Sequence, residues 1–136
     1  MKRVVITGIG IVSSIGNNAD EVLASLKSGK SGITYSESFA EQGLKSNVWG
    51  KPDIDISEHI DRKALRFMGD AAGYAYIAMD QAIQDSKLTP EQVSDVRTGI
   101  VAGSGGASSA NIVASSDTLR NRGIRRVGPY AVPKTM

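Results

Sequence analysis

The stretch VVITGIGIVSSIG, residues 4–16, decides the fold class, because an apolar β-branched run leads directly into closely spaced glycines. Residues 4–6 are β-branched and bounded by turn residues, which predicts a buried strand. The apolar residues at positions 9–12 extend this strand past a glycine bulge. The whole chain has 15 glycines and only 5% aromatic residues, which favours a turn-rich α/β protein.

The next segment carries a helix and then a long excursion. Asn17-Asn18 supplies good N-cap residues, acidic residues follow in the first turn, and Gly29 is a typical stop. Residues 32–57 are polar and mixed, so we expect a long excursion with one short strand near Val48-Trp49. An excursion of this length is usually functional or packs on another part of the protein.

Three helices are predicted in the middle of the chain. Residues 61–67 form a short basic helix, and residues 70–86 form the longest helix. This long segment is apolar on nearly every side, which predicts burial on several faces. Thr89-Pro90 reads as a cap followed by proline at the first helical position of a third helix.

The C-terminal third begins with a second apolar run at residues 99–102, which ends in GSGGASSA. A helix from about 108 to 119 follows, and residues 120–128 are predicted to form a basic loop. The last residues, PYAVPKTM, carry no stop signal, so the chain ends as if cut.

Composition limits the function classes. With 40% hydrophobic and 22% charged residues, the 136-residue chain fits one domain with a core. It contains no cysteine, and His59 is its only histidine, which excludes thiolate and multi-His metal sites within it. No run approaches the ~20 apolar residues of a membrane span. No signal peptide is recognised, so a cytoplasmic location is expected.

The charge is distributed unevenly along the chain. Residues 1–96 carry 10 Lys and Arg against 13 Asp and Glu, a net of −3, whereas residues 97–136 carry 6 against 1, a net of +5. The basic third is either a solvated surface or a face for an acidic partner. No aromatic stacking platform accompanies the arginines, so nucleic acid is not expected as that partner.

The glycines of the opening stretch match a dinucleotide-binding fingerprint only in part. G-x-G-x-x-G requires a third glycine where the helix packs on the strand. Gly8 and Gly10 fit the pattern, but Ser13 occupies the third position. The predicted helix also starts too late to hold a pyrophosphate. We therefore interpret the glycines as part of a bulged strand that packs closely.

AGSGG, residues 102–106, nearly matches the G-x-S-x-G nucleophile elbow, with alanine in place of the first glycine. Ser104 would then be the nucleophile of a serine hydrolase. The catalytic histidine should follow in chain order, but the only histidine, His59, precedes Ser104. The alternative is that small residues let the backbone approach a ligand or another chain, and His59 is then a surface residue.

Several segments together resemble a known family. VVITGIGIVSSIGNN, SGKSGI, DRKALRFMGDAAGYAYIAMDQAI, GIVAGSGG and VGPYAVPKTM occur in the order found at the N-terminus of β-ketoacyl-acyl-carrier-protein synthases. The resemblance covers nearly the whole chain. It departs from the family pattern in a slightly short loop before Arg97 and at residues 107–109.

The resemblance implies a thiolase-like fold of five α/β/α/β/α layers, in which residues 1–136 are most of the N-terminal half of a homodimeric enzyme. It implies an acyltransferase of fatty-acid biosynthesis that extends acyl chains by decarboxylative Claisen condensation. The family's cysteine nucleophile and two histidines have no counterpart here, so no catalytic residue is assigned. No metal or cofactor is expected beyond the phosphopantetheine of acyl carrier protein.

The resemblance also implies roles for particular positions. Gly106, Ile112 and Met136 are expected near the acyl chain or the dimer interface. The positions expected to dock acyl carrier protein are Lys63, Arg66, Arg122 and Arg125.

The basic residues themselves support two clusters. Arg62, Lys63 and Arg66 fall at helical spacings that share one face, and Arg125 and Arg126 belong to a second cluster that also contains Arg122. A further alternative function is a non-catalytic chain-length partner of the same fold.

Overall fold

The computed structural model describes residues 3–136, in which helices predominate. Its α-helices are α1 (Ala19–Ser28), α2 (Glu37–Glu41), α3 (Arg62–Leu65), α4 (Asp70–Ser86), α5 (Pro90–Val93), α6 (Ser109–Arg122) and α7 (Ala131–Thr135). Two 3-10 turns span Ile56–Glu58 and Ile124–Arg126. Strands β1 (Thr34–Tyr35) and β2 (Val48–Trp49) pair antiparallel.

These elements belong to two compact units of the chain. The first unit contains the chain up to Ile54 together with Ala78–Leu88. The second unit contains Asp55–Ile77 and Thr89–Met136. Helix α4 is continuous, and it contributes its first half to the second unit and its second half to the first unit.

Local signals predicted the helix ends well. Asn18 caps α1 because its side chain accepts a hydrogen bond from Glu21 N at 2.9 Å, and Gly29 ends the helix in the left-handed conformation at φ 67°. The predicted bounds of α4 are confirmed. At α5, Thr89 and Gln92 form a capping box in which each side chain bonds the other's backbone amide.

Two helices differ from prediction in length. The short basic helix is confirmed but spans only Arg62–Leu65, after Asp61, whose side chain accepts from Lys63 N at 2.7 Å. Helix α6 continues to Arg122, so the prediction that the basic loop begins at residue 120 was wrong. Arginines in the last helical turn interact favourably with the exposed carbonyls there, which explains the extension.

The predicted buried strands are not formed. Val4 and Ile6 are 94% and 85% exposed, and Val101 in the second apolar run is 99% exposed. Neither run pairs with a strand within residues 3–136. A β-branched run becomes a strand only when a neighbour completes its hydrogen-bond ladder, and these segments have no such neighbour in the described chain.

The predicted burial of α4 on several faces was also wrong. Gly73 and Ile77 are its buried residues, whereas Tyr76 and Met79 are about half exposed. The buried hydrophobic residues of the described chain are few and comprise Val22, Ile60 and Ile77. An all-round apolar helix needs neighbours on every side, and in the described chain α4 has them on only part of its surface.

The opening segment packs along the second half of α4 in the first unit. Ile9 N donates to Asp85 Oδ2 at 2.9 Å, and Ile11 N donates to Gln81 Oε1 at 3.0 Å. Gln81 and Asp85 lie four residues apart and so share one helix face. Two alternate amides of the extended segment are therefore satisfied by side chains rather than by another strand.

Glycine is required for this close approach. A Cβ at Gly10 would overlap the carbonyl oxygen of Ala78 and lie 2.9 Å from Ala82 N. A Cβ at Gly8 would overlap the Ala82 carbonyl oxygen and lie 2.8 Å from Ser86 N. The close packing expected of these glycines is confirmed, but the bulged strand expected to carry them is not formed.

The long excursion contains more structure than predicted. The strand near Val48-Trp49 is confirmed, and it pairs with β1, which the sequence did not indicate. Phe39, from the unpredicted helix α2, packs edge-on against Trp49 with ring centroids 5.4 Å apart. The Lys51 ammonium lies 5.5 Å from the Trp49 ring centroid. These contacts hold the excursion together through its aromatic residues.

Candidate functional site

The second unit gathers basic side chains around a pocket of about 290 Å³. Arg66 reaches the pocket from the end of α3, Arg126 from the 3-10 turn after α6, and Lys134 from α7. Three cations that are far apart in sequence therefore meet at one concave site.

Helix α6 supplies the floor of this basic pocket. The floor residues fall at spacings of three and four, which places them on one helix face: Asn111, Ala114, Ser115 and Thr118. All four are small or polar, so the helix presents no apolar stripe here. Thr118 Oγ1 donates to the Ala114 carbonyl at 2.8 Å, which keeps that hydroxyl against the helix.

An aromatic pair fixes the pocket wall. Phe67, which follows Arg66, packs edge-on against Tyr130 with ring centroids 4.6 Å apart. Tyr130 lines the pocket and directly precedes α7. Such a pair contributes ~0.5–1.5 kcal/mol beyond area burial, so the end of α3 is held against the start of α7.

The start of α4 and the end of α7 also approach closely. Gly69 is buried, and a Cβ there would lie 2.8 Å from the Lys134 carbonyl oxygen. Ser108 N donates to the Thr135 carbonyl at 2.9 Å, which ties the start of α6 to the end of α7. These backbone contacts set the position from which the Lys134 side chain reaches the pocket.

The pocket is electropositive. None of its lining residues is acidic. Within residues 3–136 the ion pair that forms is Arg97 with Asp95 at 3.1 Å, so the three pocket cations have no carboxylate partner in the described chain. Lys134 is only partly exposed, which weakens the screening of its charge by water.

The four predicted docking residues all belong to the second unit, but only one of them reaches the pocket. Lys63 and Arg66 lie on and at the end of α3, Arg122 ends α6, and Arg125 lies in the following 3-10 turn. All four are exposed. Arg66 alone among them lines the pocket.

Sequence reasoning missed Lys134 and Tyr130 as members of the site. Arg126 was recognised as part of a basic cluster, and the pocket is where that cluster meets Arg66. Lys134 stands alone among apolar residues in the sequence, so no charge run marks it. Its helix lies beside α6 through tertiary packing, which includes the hydrogen bond from Ser108 N to Thr135 O.

The predicted acyl-pocket or interface residues are exposed in the described chain. Gly106 has open space where a Cβ would stand. Ile112 is 47% exposed on α6, and Met136 is 79% exposed at the end of α7. The hydrogen bond from Ser108 N to Thr135 O places Met136 beside the start of α6. Gly106 lies two residues before Ser108 in the sequence.

Ser104 has the hydrogen bonds of a turn rather than those of a nucleophile. Its hydroxyl donates to the Gly106 carbonyl at 2.8 Å. An activated serine instead donates to a base, which an outer carboxylate orients. His59 is exposed, as expected of a surface residue, and the structure records no hydrogen bond between it and Ser104.

Neither a membrane segment nor a metal cluster was found among the described residues. Throughout residues 3–136, every helix is too short or too polar to cross a membrane. The same part of the chain holds no group of three or more potential metal ligands among His, Cys, Asp and Glu.

The fold of the chain matches that of ketosynthases. It superposes on the ishigamide ketosynthase/chain length factor with a TM-score of 0.81 and 28% identity, covering 97% of this chain and 33% of that one. It also matches the AntDE:AntF structure, described as a type II polyketide synthase acyl-carrier protein in complex with its ketosynthase, with a TM-score of 0.69. That match has 22% identity and covers 100% of this chain and 35% of that one, so it supports the fold alone.

The family model described as "Beta-ketoacyl synthase, N-terminal domain" matches residues 1–136, and the chain belongs to this family. A curated relative is 3-oxoacyl-[acyl-carrier-protein] synthase 1 of Haemophilus influenzae, which is 56% identical over 137 residues. The alignment covers 100% of this chain and 34% of the relative, so the chain spans about a third of that relative's length. The resemblance and the thiolase-like fold class are confirmed.

Proposed function

We propose that this chain is the N-terminal part of a 3-oxoacyl-[acyl-carrier-protein] synthase that elongates acyl chains in fatty-acid biosynthesis. The observation that carries the proposal is the 56% identity to a synthase of that name across the whole chain. The ketosynthase fold of its structural neighbours supports the same reaction class.

The proposed reaction has two halves. In the first, an enzyme nucleophile attacks the acyl thioester, and the carrier's thiol leaves with a proton. In the second, malonyl-carrier loses CO2, and the resulting carbanion attacks the acyl-enzyme carbonyl, which releases the nucleophile and 3-oxoacyl-carrier. The chain contains no cysteine and its one histidine is exposed, so the nucleophile and the imidazole donors belong to residues outside this sequence.

The described chain would contribute docking to this reaction. Lys63, Arg66, Arg122 and Arg125 are exposed cations of the second unit, and acyl carrier protein is an acidic helical partner. Exposed rim charges mainly raise encounter rates and set orientation, so docking should weaken as salt rises. One structural neighbour is described as an acyl-carrier protein in complex with its ketosynthase, so a carrier partner is compatible with this fold.

The chain would also contribute to the acyl pocket. Gly106 leaves room for close approach, and the Met136 side chain is flexible and adaptable to an alkyl tail. Ile112 lies on the exposed surface of α6. In a homodimeric, cytoplasmic enzyme these residues would be covered by the rest of the protein, by the partner subunit and by the acyl chain.

The direct test is condensation by the natural full-length protein. It is incubated with acyl-carrier and malonyl-carrier, and 3-oxoacyl-carrier and CO2 are measured by mass spectrometry and trapping. Equal amounts of both products are expected, and the 136-residue polypeptide alone should form neither. Turnover by that polypeptide would contradict the assignment of the chemistry to other residues.

Two other outcomes identify the alternative functions. Release of free fatty acid without CO2, lost in Ser104→Ala, would identify a hydrolase. An inactive protein that sets the product length of a second synthase would be a chain-length partner, the role named for one structural neighbour. A synthase that condenses acyl groups normally after Ser104→Ala excludes the serine mechanism.

A further inference from the structure

The basic pocket contains three positive charges that no carboxylate of the described chain neutralises. Arg66, Arg126 and Lys134 come from three different elements and line one cavity of about 290 Å³. Like charges in a shared concave site repel one another, and a bound anion would remove that repulsion. Lys134 is partly buried, so water compensates its charge less well than at the exposed rim.

The lining favours a small polar anion over an apolar tail. The floor from α6 is small and polar, and Tyr130 adds a hydroxyl-bearing side chain at the wall. Arginine presents a planar fork that matches phosphate oxygens, and lysine adds a compact point charge. The volume fits a phosphate or pyrophosphate group, whereas a long acyl chain would leave polar groups without partners.

The pocket is also built from fixed elements. The Phe67–Tyr130 ring contact and the Ser108 N to Thr135 O bond hold its walls together independently of any ligand. A site whose walls are already in place loses little conformational entropy when it binds an anion.

We propose that this basic pocket binds a small phosphate-bearing anion of about the size of pyrophosphate. Arg126 and Lys134 are its principal cations, and Arg66 closes it from α3. The ligand is a small solute free in solution, because the cavity of about 290 Å³ is small and three cations from different elements line it.

Regulation follows if the proposed function is correct. Arg66 lines the pocket and belongs to the face proposed to dock acyl carrier protein. An anion held by Arg66 reduces the charge available to the acidic carrier. Occupancy of the pocket therefore weakens carrier docking and raises the apparent KM for carrier-bound substrates, with little change in kcat.

The test measures pyrophosphate binding to the natural full-length protein by isothermal titration calorimetry at constant ionic strength. Lys134→Gln and Arg126→Gln should each weaken binding by roughly tenfold, the loss expected for one charge-assisted contact. Arg120→Gln is the matched control, because Arg120 lies on α6 but does not line the pocket. It should bind pyrophosphate like the wild type.

Three results would overturn the proposal. They are no pyrophosphate binding by the wild type, equal weakening in Arg120→Gln, or unchanged binding in both Lys134→Gln and Arg126→Gln. If Lys134→Gln loses carrier affinity while the wild type binds no pyrophosphate, the pocket accepts a carboxylate of the carrier instead. Circular dichroism and thermal unfolding show whether each variant is folded, and Lys134→Arg should retain binding.

Binding is measured without the carrier, so it does not depend on the proposed function. Pyrophosphate binding with no effect on carrier kinetics would leave the anion site intact and remove only its regulatory role. Normal condensation without pyrophosphate binding would remove the site and leave the proposed function intact.

Discussion

Two glycine-rich segments look alike in sequence and differ in structure. Both follow apolar β-branched runs: residues 8–10 follow the first run, and residues 103–106 follow the second. Gly10 approaches the backbone of α4 so closely that no Cβ fits, whereas Gly103 and Gly106 have open space around them. The first segment uses its glycines for packing within the described chain, and the second leaves its glycines free for approach by something else.

The difference lies in what each backbone contacts. The amides at Ile9 and Ile11 donate to Asp85 and Gln81 of α4, which fixes the first segment against a helix. The second segment has only a local turn, in which Ser104 bonds Gly106. The sequence pattern alone does not distinguish a packed glycine from an open one, because the distinguishing residues lie far away along the chain.

The largest expected effect is at the packed glycine. Gly10→Ala places a methyl group into the Ala78 carbonyl, so the segment or α4 must shift, at a cost of about 3 kcal/mol or more. Urea unfolding of the natural full-length protein measures the loss. Gly103→Ala is the matched control, because no atom of the described chain, apart from its neighbours in sequence, lies within 4 Å of a Cβ there, and it should destabilise the protein less than Gly10→Ala. Equal losses in both variants would contradict the comparison.

A smaller effect is expected where α4 satisfies the opening segment. Gln81 accepts from Ile11 N at 3.0 Å and donates to the Asn17 carbonyl at 2.7 Å. Gln81→Met leaves both groups without partners at a partly buried site, which should destabilise the protein by about 1–3 kcal/mol.

The control for Gln81→Met lies one turn away on the same helix. Gln84 is exposed and bonds only the side chain of Asp80, so Gln84→Met should have little effect. If chemical denaturation gives the same midpoint for both methionine variants, the contact between the opening segment and α4 does not stabilise the protein.

The smallest effect on stability is expected at the open end of the second unit. Met136 is 79% exposed in the described chain, so Met136→Phe disturbs little packing within that chain. In the full-length enzyme it should nevertheless shorten the longest acyl chain accepted, because the ring narrows the proposed pocket. Mass spectrometry of the products measures this profile, with Val132→Phe on the exposed surface of α7 as control. An unchanged profile in a stable, dimeric Met136→Phe variant would contradict the pocket role.

What could be predicted from sequence was local. Asn18 and Gly29 specify the ends of α1 through bonds that reach only a few residues, and α4 was predicted to the residue. The β-branched run at residues 4–6 predicts a strand as clearly as the caps predict a helix. A strand, however, depends on a distant neighbour, and none pairs with this run in the described chain.

The basic pocket likewise combines residues that local sequence marks with residues that only distant contacts bring together. Arg66 was expected to dock the carrier because of the family resemblance, helical spacing grouped it with Lys63, and Arg126 belonged to a visible basic cluster. Lys134 joins Arg66 through tertiary contacts of α7 with α6 and with the end of α3, which no spacing rule encodes. Catalytic residues could not be predicted, because the sequence lacks the cysteine that the family chemistry requires.

The central proposal is that a basic face of the second unit docks an acidic acyl carrier for a condensing enzyme. This basic face consists of the exposed residues Lys63, Arg66, Arg122 and Arg125. Individual exposed ion pairs contribute only ~0.2–1 kcal/mol each, so a charge reversal at two positions is needed to produce a clear change. Lys63→Glu combined with Arg66→Glu reverses two exposed cations of α3 in the natural full-length protein. Lys27→Glu combined with Lys30→Glu, at two exposed residues in and just after the last turn of α1, controls for the same change in net charge.

The measurement is kcat/KM for an acyl group on the carrier and for the same acyl group on a short thioester that cannot reach the basic face. The account predicts a large fall with the carrier substrate, diminishing as salt rises, and little change with the short thioester. Equal losses on both substrates would contradict it, because the reversed residues would then support folding or the active site rather than docking.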